Sequence, residues 1–445
     1  MIGPAVPDVL VAGAGPAGSV TAMLLAREGW SVTLLERTRF PRPKACGECL
    51  NPGAVKLLAG LGLLERVRAL DPAPIRGWRI EGPAGLPALG TFAPRVGLGL
   101  AVPRSRFDHA LAAAAVVSGV VLEEGVRVEG AEPGGPGRLP TLAVRDRSGR
   151  TGKRRARVVV GADGLRSAVA RAIGAHRRLP RLRKVSLTVR LRGTGPSRDR
   201  GRLALRDDRV LGLAPVHGHD PLWNATVVAR TERFARAVAR DARAFVTRSL
   251  EELGPEWREQ PRITDGPWAS GPFDWPTRSA VAAGILLVGD AAGYFDPLTG
   301  QGIYRALRSA RLAARAVDRS LRNGEVSGKL HREYDRALSR AFGPGRRVQK
   351  IVEGVVANGC LRRAVLGRLA RAPEAMDALI RVTGDAAPVR SLAGPGAWAP
   401  FLAPTLAAGA RRSGARRGHE RSRRREFGHD TSQVAGLAHD RRTHL

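Results

Sequence analysis

The segment DVLVAGAGPAGSVTAMLLAREGWSVTLLE, residues 8–36, joins a short apolar run, a glycine-rich turn and a second apolar run. Residues 8–12 predict a buried strand, residues 19–28 a helix and residues 31–35 a second strand. A strand, a helix and a further strand in this order form the basic unit of a parallel sheet. The segment therefore predicts an α/β protein that begins with a Rossmann-like unit.

The glycines of GAGPAG, residues 13–18, give this turn its chemistry. Gly13 allows the tight turn, Gly15 lets the backbone approach a pyrophosphate, and Gly18 permits close packing of the helix. The N-terminus of the helix adds partial positive charge at the same place. The predicted pyrophosphate-binding residues are Gly13, Gly15, Pro16, Ala17 and Gly18.

A carboxylate, Glu36, ends the second strand and is followed by Arg37. Such a carboxylate accepts hydrogen bonds from both hydroxyls of an adenosine ribose, and its charge disfavours a 2′-phosphate. We therefore expect FAD or NAD rather than NADP, with Glu36 and Arg37 among the cofactor-binding residues.

Two motifs around residue 290 favour FAD over NAD. GILLVGD, residues 284–290, predicts a strand whose carboxyl end carries Gly289 and Asp290, where a carboxylate can bind a ribityl hydroxyl. The following residues lead into a predicted helix at 302–322, whose N-terminal dipole stabilises negative charge on an isoalloxazine. The flavin contacts predicted from this stretch are Pro297, Gly300, Gln301 and Gly302.

The loop FPRPKACGECLNPGA, residues 40–54, contains prolines and glycines that prevent regular structure. The spacing of Cys46 and Cys49 permits a C-x-x-C redox pair, but no Cys or His nearby completes a metal site, so we predict no metal. Cys360 is the third cysteine, and three cysteines are too few for a disulfide framework.

Four motifs in order resemble the FAD-dependent geranylgeranyl reductase family, whose fold is that of the aromatic hydroxylases and flavin halogenases. They are GAGPAG, RSRFDHAL with Arg104, GADGLRS at 161–167 and GDAAGYFDPLTGQGI, and the resemblance covers about residues 8–385. It implies that Arg104 contacts FAD and that Asp163 and Gly164 lie over the pyrophosphate and the flavin edge.

The resemblance extends to the loop at 40–54, which is similar to an F-P-R-x-K-x-C-G segment placed beside the isoalloxazine. It makes Cys46 a candidate proton donor or substrate-contacting thiol. The chain departs from the prenyl reductases at residues 211–215, LGLAP, where they carry Y-x-W-x-F-P, and it lacks the W-x-W-x-I-P of the halogenases. For the substrate pocket we consider Cys49, Trp268 and Trp275, although the tryptophans are equally explained as core residues.

The predicted fold class is α/β: a Rossmann-like FAD-binding domain, with a parallel sheet and helices, interleaved with a mixed or antiparallel substrate sheet and followed by a helical C-terminal segment. The predicted FAD-binding domain takes residues 1–80, 100–175 and 277–345. The substrate sheet takes residues 81–99 and 176–276, the C-terminal helical segment residues 346–408, and a disordered basic tail residues 409–445.

The formal net charge is +34, and almost all of the 74 basic residues are arginine, spread over the whole chain. No nucleic-acid recognition motif accompanies the charge, so we expect no specific nucleic-acid partner. No signal-peptide pattern and no run of about 18 apolar residues occurs, which predicts a cytoplasmic protein. Residues 360–370 are compatible with peripheral contact at the inner membrane surface, and equally with an ordinary packed helix.

These features favour an FAD-dependent oxidoreductase that transfers a hydride from flavin N5 to a double bond of an isoprenoid-like or other small apolar substrate. Because no second G-x-G-x-x-G occurs, NAD(P)H would visit transiently, or a ferredoxin or reduced flavin would supply electrons. The alternative enzyme is a monooxygenase acting through a flavin C4a-hydroperoxide, which uses the same FAD motifs. A remote alternative is a non-catalytic basic protein that binds surfaces.

Overall fold

The protein combines a parallel sheet covered by helices with a second, mixed sheet. The computed structural model describes residues 6–83, 85–92, 94–176, 182–193, 198–253, 262–275, 277–324 and 328–393. The strands are β1 Val9–Ala12, β2 Val32–Glu36, β3 Cys49–Leu50, β4 Ala73–Ile75, β5 Gly77–Glu81, β6 Ala88–Thr91, β7 Gly99–Ala101, β8 Val121–Glu124, β9 Arg127–Glu132, β10 Thr141–Arg145, β11 Thr151–Arg155, β12 Val158–Gly161, β13 Lys184–Arg192, β14 Arg200–Leu205, β15 Arg209–Pro215, β16 Leu222–Arg230, β17 Arg262–Ser270, β18 Val281–Ala282 and β19 Ile285–Leu287. The helices are α1 Pro16–Arg27, α2 Pro52–Gly60, α3 Leu64–Arg68, α4 Arg104–Val117, α5 Ala168–Ala172, α6 Thr231–Glu251, α7 Gly302–Arg322, α8 Gly328–Ala357, α9 Gly359–Leu369 and α10 Pro373–Thr383.

The first sheet has the strand order β18-β19-β12-β1-β2-β8. From β19 to β8 the neighbouring strands are parallel, and β18 is the antiparallel edge. All residues of β1 and β12 are buried, as expected for strands covered on both faces. Helix α1 packs against α4 and α7, which places α1 inside the helical layer. This architecture confirms the predicted α/β fold class.

The second sheet has the order β17-β13-β16-β15-β14-β5-β6, with β14 and β5 as its parallel pair. Alternate residues of β13 and β16 face α6, so Leu187 and Val227 pack with Val246 and Leu250. The opposite face includes Lys184, Ser186, Asn224 and Thr226, and it forms a wall of the cavity described below. The sheet includes β5, which begins at Gly77, earlier than the predicted boundary at residue 81, because this strand pairs with β14.

Helices α8, α9 and α10 follow α7, and α10 packs on β6. The contact is close because Gly90 has no side chain: a Cβ there would lie 2.4 Å from Ile380 Cγ1. Among the described helices, none has the length and apolarity that a membrane span requires. The predicted disordered tail at 409–445 lies outside the described residues.

Candidate active site

A large cavity lies between the carboxyl ends of the parallel strands and the polar face of the second sheet. It contains about 1570 Å³ of empty space, counting the part that opens to solvent. Its lining includes the turn after β1, the loop at 44–49, the face of β13 to β16 and residues 288–306, together with residues from β5, the start of α4, the segment after β12 and residues 270–273. The cavity therefore joins segments that are far apart in sequence.

The glycines of the first turn have two different roles in the structure. Gly13 has a φ of 99°, and a Cβ on Gly18 would lie 1.9 Å from the Gly13 carbonyl oxygen, so both are required by packing. A Cβ on Gly15 would meet nothing within 4 Å, and Gly15 lies on the cavity wall with Pro16 and Ala17. The first turn of α1 contains no acidic residue. This open backbone at a helix N-terminus fits the pyrophosphate of FAD.

Glu36 is buried and is fully engaged by the protein. Its carboxylate accepts hydrogen bonds from the backbone N–H of Ala14 at 3.0 Å, from the N–H and hydroxyl of Thr38, and from Arg42 at 3.3 Å. It does not line the cavity, and Arg37 is exposed outside it. The observed role of Glu36 is to fix the turn, and its contact with a ribose stays a prediction.

Asp163 and Gly164 of the GADGLRS segment also have different roles. The carboxylate of Asp163 accepts hydrogen bonds from the Ser167 hydroxyl and from the N–H groups at the start of α5, so it serves as a helix cap and does not line the cavity. Gly164 has a φ of 82° and does line the cavity. A Cβ on Gly164 would lie 3.9 Å from Nζ of Lys44.

Lys44 is a cavity residue that the sequence analysis missed. Burial lowers the pKa of Lys44, and the nearby Arg104 lowers it further. Among the described residues its ammonium group has no hydrogen-bonded partner, which leaves it free to meet an anionic group. Its position inside the FPRPKACG segment was the available signal.

A buried network of charges fixes the loop at 44–49. Glu48 is 2% exposed and accepts hydrogen bonds from Arg190 at 2.6 and 2.8 Å and from the backbone N–H of Arg104 at 2.8 Å. Burial raises the pKa of Glu48, and Arg190 opposes that rise. Asn224 donates to the carbonyl oxygen of Cys46 at 2.9 Å and to Glu48 at 3.2 Å. The loop is thus bound to β13 and β16.

Arg104, which the family resemblance implies to contact FAD, lines the cavity, and its guanidinium is held by a neighbouring carboxylate. Its guanidinium donates to both carboxylate oxygens of Asp108, at 2.7 and 2.8 Å, and Asp108 also pairs with Arg42. Burial by itself would lower the pKa of Arg104, but the Asp108 carboxylate raises it above its ordinary value. Arg104 is therefore a fixed cation at the cavity wall.

Both cysteines of the loop line the cavity, and both thiols are free. Sγ of Cys46 accepts the backbone N–H of Glu48 at 3.3 Å, whereas the thiol of Cys49 donates to the carbonyl oxygen of Gly47 at 3.2 Å. Burial raises the pKa of the Cys49 thiol well above its ordinary value. Cys49 is therefore a poor thiolate.

Of the six flavin contacts predicted between residues 289 and 302, five line the cavity. Gly289, Asp290, Pro297, Gly300 and Gly302 line it, and α7 begins at Gly302. Gln301 differs, because its side chain donates to Asp385 at 2.8 Å and does not line the cavity.

A second charged cluster, Asp296, Lys184 and Glu353, was also missed by the sequence analysis. Asp296 and Lys184 line the cavity, and Lys184 pairs with Glu353 of α8. Asp296 Oδ1 accepts the N–H of Leu298 at 2.8 Å, while Oδ2 lies 3.7 Å from Nζ of Lys184 and has no hydrogen bond among the described residues. Burial raises the pKa of Asp296 to about 6; the Glu353 carboxylate adds to this rise, and the Lys184 ammonium opposes it.

The two predicted pocket tryptophans do not line the cavity, which corrects that expectation. The Arg190 guanidinium lies over the ring of Trp268 at 5.8 Å, and the indole of Trp275 donates to Pro272 and stacks on His176. Both rings therefore pack against neighbouring protein groups. The aromatic residues on the cavity wall are Trp78, Phe273 and Tyr294.

The side of the cavity formed by the second sheet is mostly apolar. Its apolar residues on the second sheet and before α7 are Leu203, Val210, Leu213, Val228 and Leu298. Ser186, Asn224 and Thr226 interrupt this surface because they alternate with the residues that face α6. This wall suits a largely apolar molecule with a polar group at one end.

Comparisons with known proteins agree with this geometry. The family described as an FAD binding domain matches residues 7–342. The chain is 30% identical over 348 residues to the menaquinone reductase of Mycobacterium tuberculosis, covering 76% of this chain and 81% of that protein. It is 29% identical over 344 residues to the digeranylgeranylglycerophospholipid reductase of Methanosphaerula palustris, covering 74% and 80%. The solved structure of the myxobacterial chondrochloren halogenase matches with a TM-score of 0.70 and 27% identity, covering 78% and 82%.

The protein is thus an FAD-dependent oxidoreductase, and its residues at the turn after β1 fit the cofactor. Membership of the geranylgeranyl reductase group in particular stays a prediction. Because the match spans most of the chain, the protein belongs to the FAD binding domain family.

Proposed function

We propose that the protein reduces a carbon–carbon double bond in an isoprenoid-like or other apolar substrate. The observation that carries the proposal is the single cavity, which joins an open glycine turn and fixed cations to an apolar wall with few polar groups. The relatives named as reductases of menaquinone and of digeranylgeranylglycerophospholipid support it, since both names describe molecules with long apolar chains.

When bound and reduced, FAD supplies a hydride, which carries both electrons of the reduction. A proton must then reach the second carbon, so that the double bond becomes a single bond with one new hydrogen on each carbon. The chain provides this proton from its own cavity wall. Cys46 is the proposed donor, because its thiol lines the cavity and its loop is fixed by Glu48 and Asn224.

The remaining residues bind and orient. Gly15, Pro16 and Ala17 would hold the pyrophosphate, Lys44 and Arg104 would offset its charge, and Asp290 would bind a ribityl hydroxyl. The apolar wall would exclude water and align the chain of the substrate. NAD(P)H or a ferredoxin is the proposed electron donor.

An anaerobic single turnover tests the reaction. The FAD-loaded protein is reduced chemically and mixed with a polyprenyl alcohol, and the mass of the product is measured by mass spectrometry. The proposal expects two added hydrogen atoms without oxygen. A product that gains an oxygen atom, and forms only in air, would instead establish the monooxygenase alternative.

The role of Cys46 is tested with a matched pair of variants. Cys46→Ser is expected to lower the single-turnover rate by about 10²-fold or more with unchanged FAD affinity, because a serine hydroxyl is a far weaker acid. Cys49→Ser changes the other thiol of the same wall and is expected to have a small effect. Equal rates for Cys46→Ser and wild type would remove Cys46 from the mechanism.

A further inference from the structure

An exposed face of α8 and α9 combines apolar and basic side chains. Ile351 is 68% exposed and Leu361 is 51% exposed. Arg347, Lys350 and Ile351 share one side of α8 because they are three and four residues apart. The exposed cations between residues 347 and 371 are Arg347, Lys350, Arg363, Arg368 and Arg371.

The same stretch presents no acidic side chain to solvent. Its one carboxylate, Glu353, is buried and pairs with Lys184. The buried Arg362 does not contribute to the surface. Exposed apolar side chains among exposed cations are complementary to a surface that is apolar inside and negatively charged outside, which is the chemistry of an anionic lipid bilayer.

The inner side of these helices reaches the cavity. Val352 and Val356 of α8 and Leu366 of α9 pack in one cluster with Val210 and Leu298, which line the cavity. Helices α8 and α9 therefore lie between the exposed residues and the apolar wall of the cavity. A second exposed apolar pair, Val117 and Val121, is followed by the acidic residues 123 and 124 and therefore lacks basic surroundings.

We propose that the α8–α9 face, defined by Ile351, Leu361 and the cations of residues 347–371, docks on an anionic membrane surface. This inference rests on the proposed function in one respect: an apolar substrate resides in such a membrane. The docked helices place the cavity next to the lipid from which the substrate comes. The surface binds lipid whether or not the cavity holds substrate.

Vesicle flotation with the full-length, FAD-loaded protein tests the electrostatic part. The vesicles contain phosphatidylglycerol and phosphatidylcholine, or phosphatidylcholine alone. Replacing Lys350 and Arg363 with Gln is expected to weaken partitioning onto the anionic vesicles about 30-fold. A matched neutralisation of the exposed Lys56 and Arg66 is expected to weaken it far less.

The apolar part is tested by Ile351→Asp with Leu361→Asp, against Val117→Asp with Val121→Asp. Every variant keeps the arginine-rich residues 409–445, so binding by that segment is common to all. The first pair is expected to lose most of the binding that survives at high salt, and the second pair to keep it. Equal losses in both pairs would overturn the proposal, as would the dissociation of a dimer by the first pair with vesicle binding unchanged.

Flavin content and single-turnover reduction of a detergent-dispersed substrate are measured on the same samples. Normal turnover with lost vesicle binding is the expected result for the α8–α9 variants. If the wild type shows no reduction of any substrate but binds vesicles through this face, the reaction assignment fails and the docking surface stands.

Discussion

Asp296→Asn tests how much the buried carboxylate of Asp296 lowers the free energy of unfolding. Asp296 is 7% exposed, and the one cation that pairs with it among the described residues, Lys184, is shared with Glu353. Asparagine has nearly the same shape, and its carbonyl oxygen can still accept the N–H of Leu298. The substitution therefore removes one charge with little change in packing.

The magnitude follows from the raised pKa of Asp296, about 6 in the folded protein against an ordinary 3.8. A pKa difference of roughly 2 corresponds to about 3 kcal/mol, which is the cost of the ionised carboxylate in the folded state. Below pH 3.8 the group is protonated in both states and costs nothing. As the pH rises through about 6, the wild type loses this free energy of unfolding, whereas the asparagine variant does not.

Urea unfolding of the full-length protein, followed by tryptophan fluorescence at two pH values, measures the difference. The advantage of the variant is expected to grow by about 2 kcal/mol between ~pH 4.5 and ~pH 7.5. Asp146→Asn is the control with the opposite sign, because a hydrogen bond from Ser148 helps lower the pKa of the exposed Asp146 to about 2. A variant at Asp296 that is less stable than wild type at neutral pH, or an advantage that does not change with pH, would refute this account.

Two further predictions separate binding from stability. Gly15→Ala is expected to fold normally, because its Cβ meets no protein atom, but to lose FAD affinity in a flavin titration, because that Cβ would enter the cavity. Gly18→Ala is instead expected to unfold in less urea, because its Cβ would collide with Gly13. If Gly15→Ala binds FAD as tightly as wild type, the turn does not hold the pyrophosphate. Arg190→Met is expected to cost about 3–5 kcal/mol in urea unfolding, because it leaves Glu48 charged and buried, and a second change, Glu48→Gln, is expected to restore much of it. No recovery in the double variant would show that the ion pair is not the reason for the loss.

Local sequence signals were sufficient for the elements that decide the fold class. The apolar run of β1, the glycine turn and the periodic helix follow from neighbouring residues alone, and the structure contains them as β1, α1 and β2. The helix predicted at 302–322 is α7, with the same limits. These features are local because helix and strand periodicity, and the steric need for glycine, act over a few residues.

The charged groups of the cavity had no such local signal. Glu48 and Arg190 are 142 residues apart, and Lys184 and Glu353 are 169 residues apart, so only the packing of the second sheet and α8 on the cavity brings them together. The same holds for Trp268 and Trp275, whose rings are turned away by Arg190 and His176.

The sequence by itself determined the parallel sheet and the glycine turn, and it predicted the place of a dinucleotide, because each depends on residues that are neighbours in the chain. The tertiary structure alone decided which buried charges are paired, which of the aromatic residues meet the cavity, and which helix face stays uncovered. Those outcomes depend on desolvation and on contacts between distant segments, and both exist only after the chain has folded.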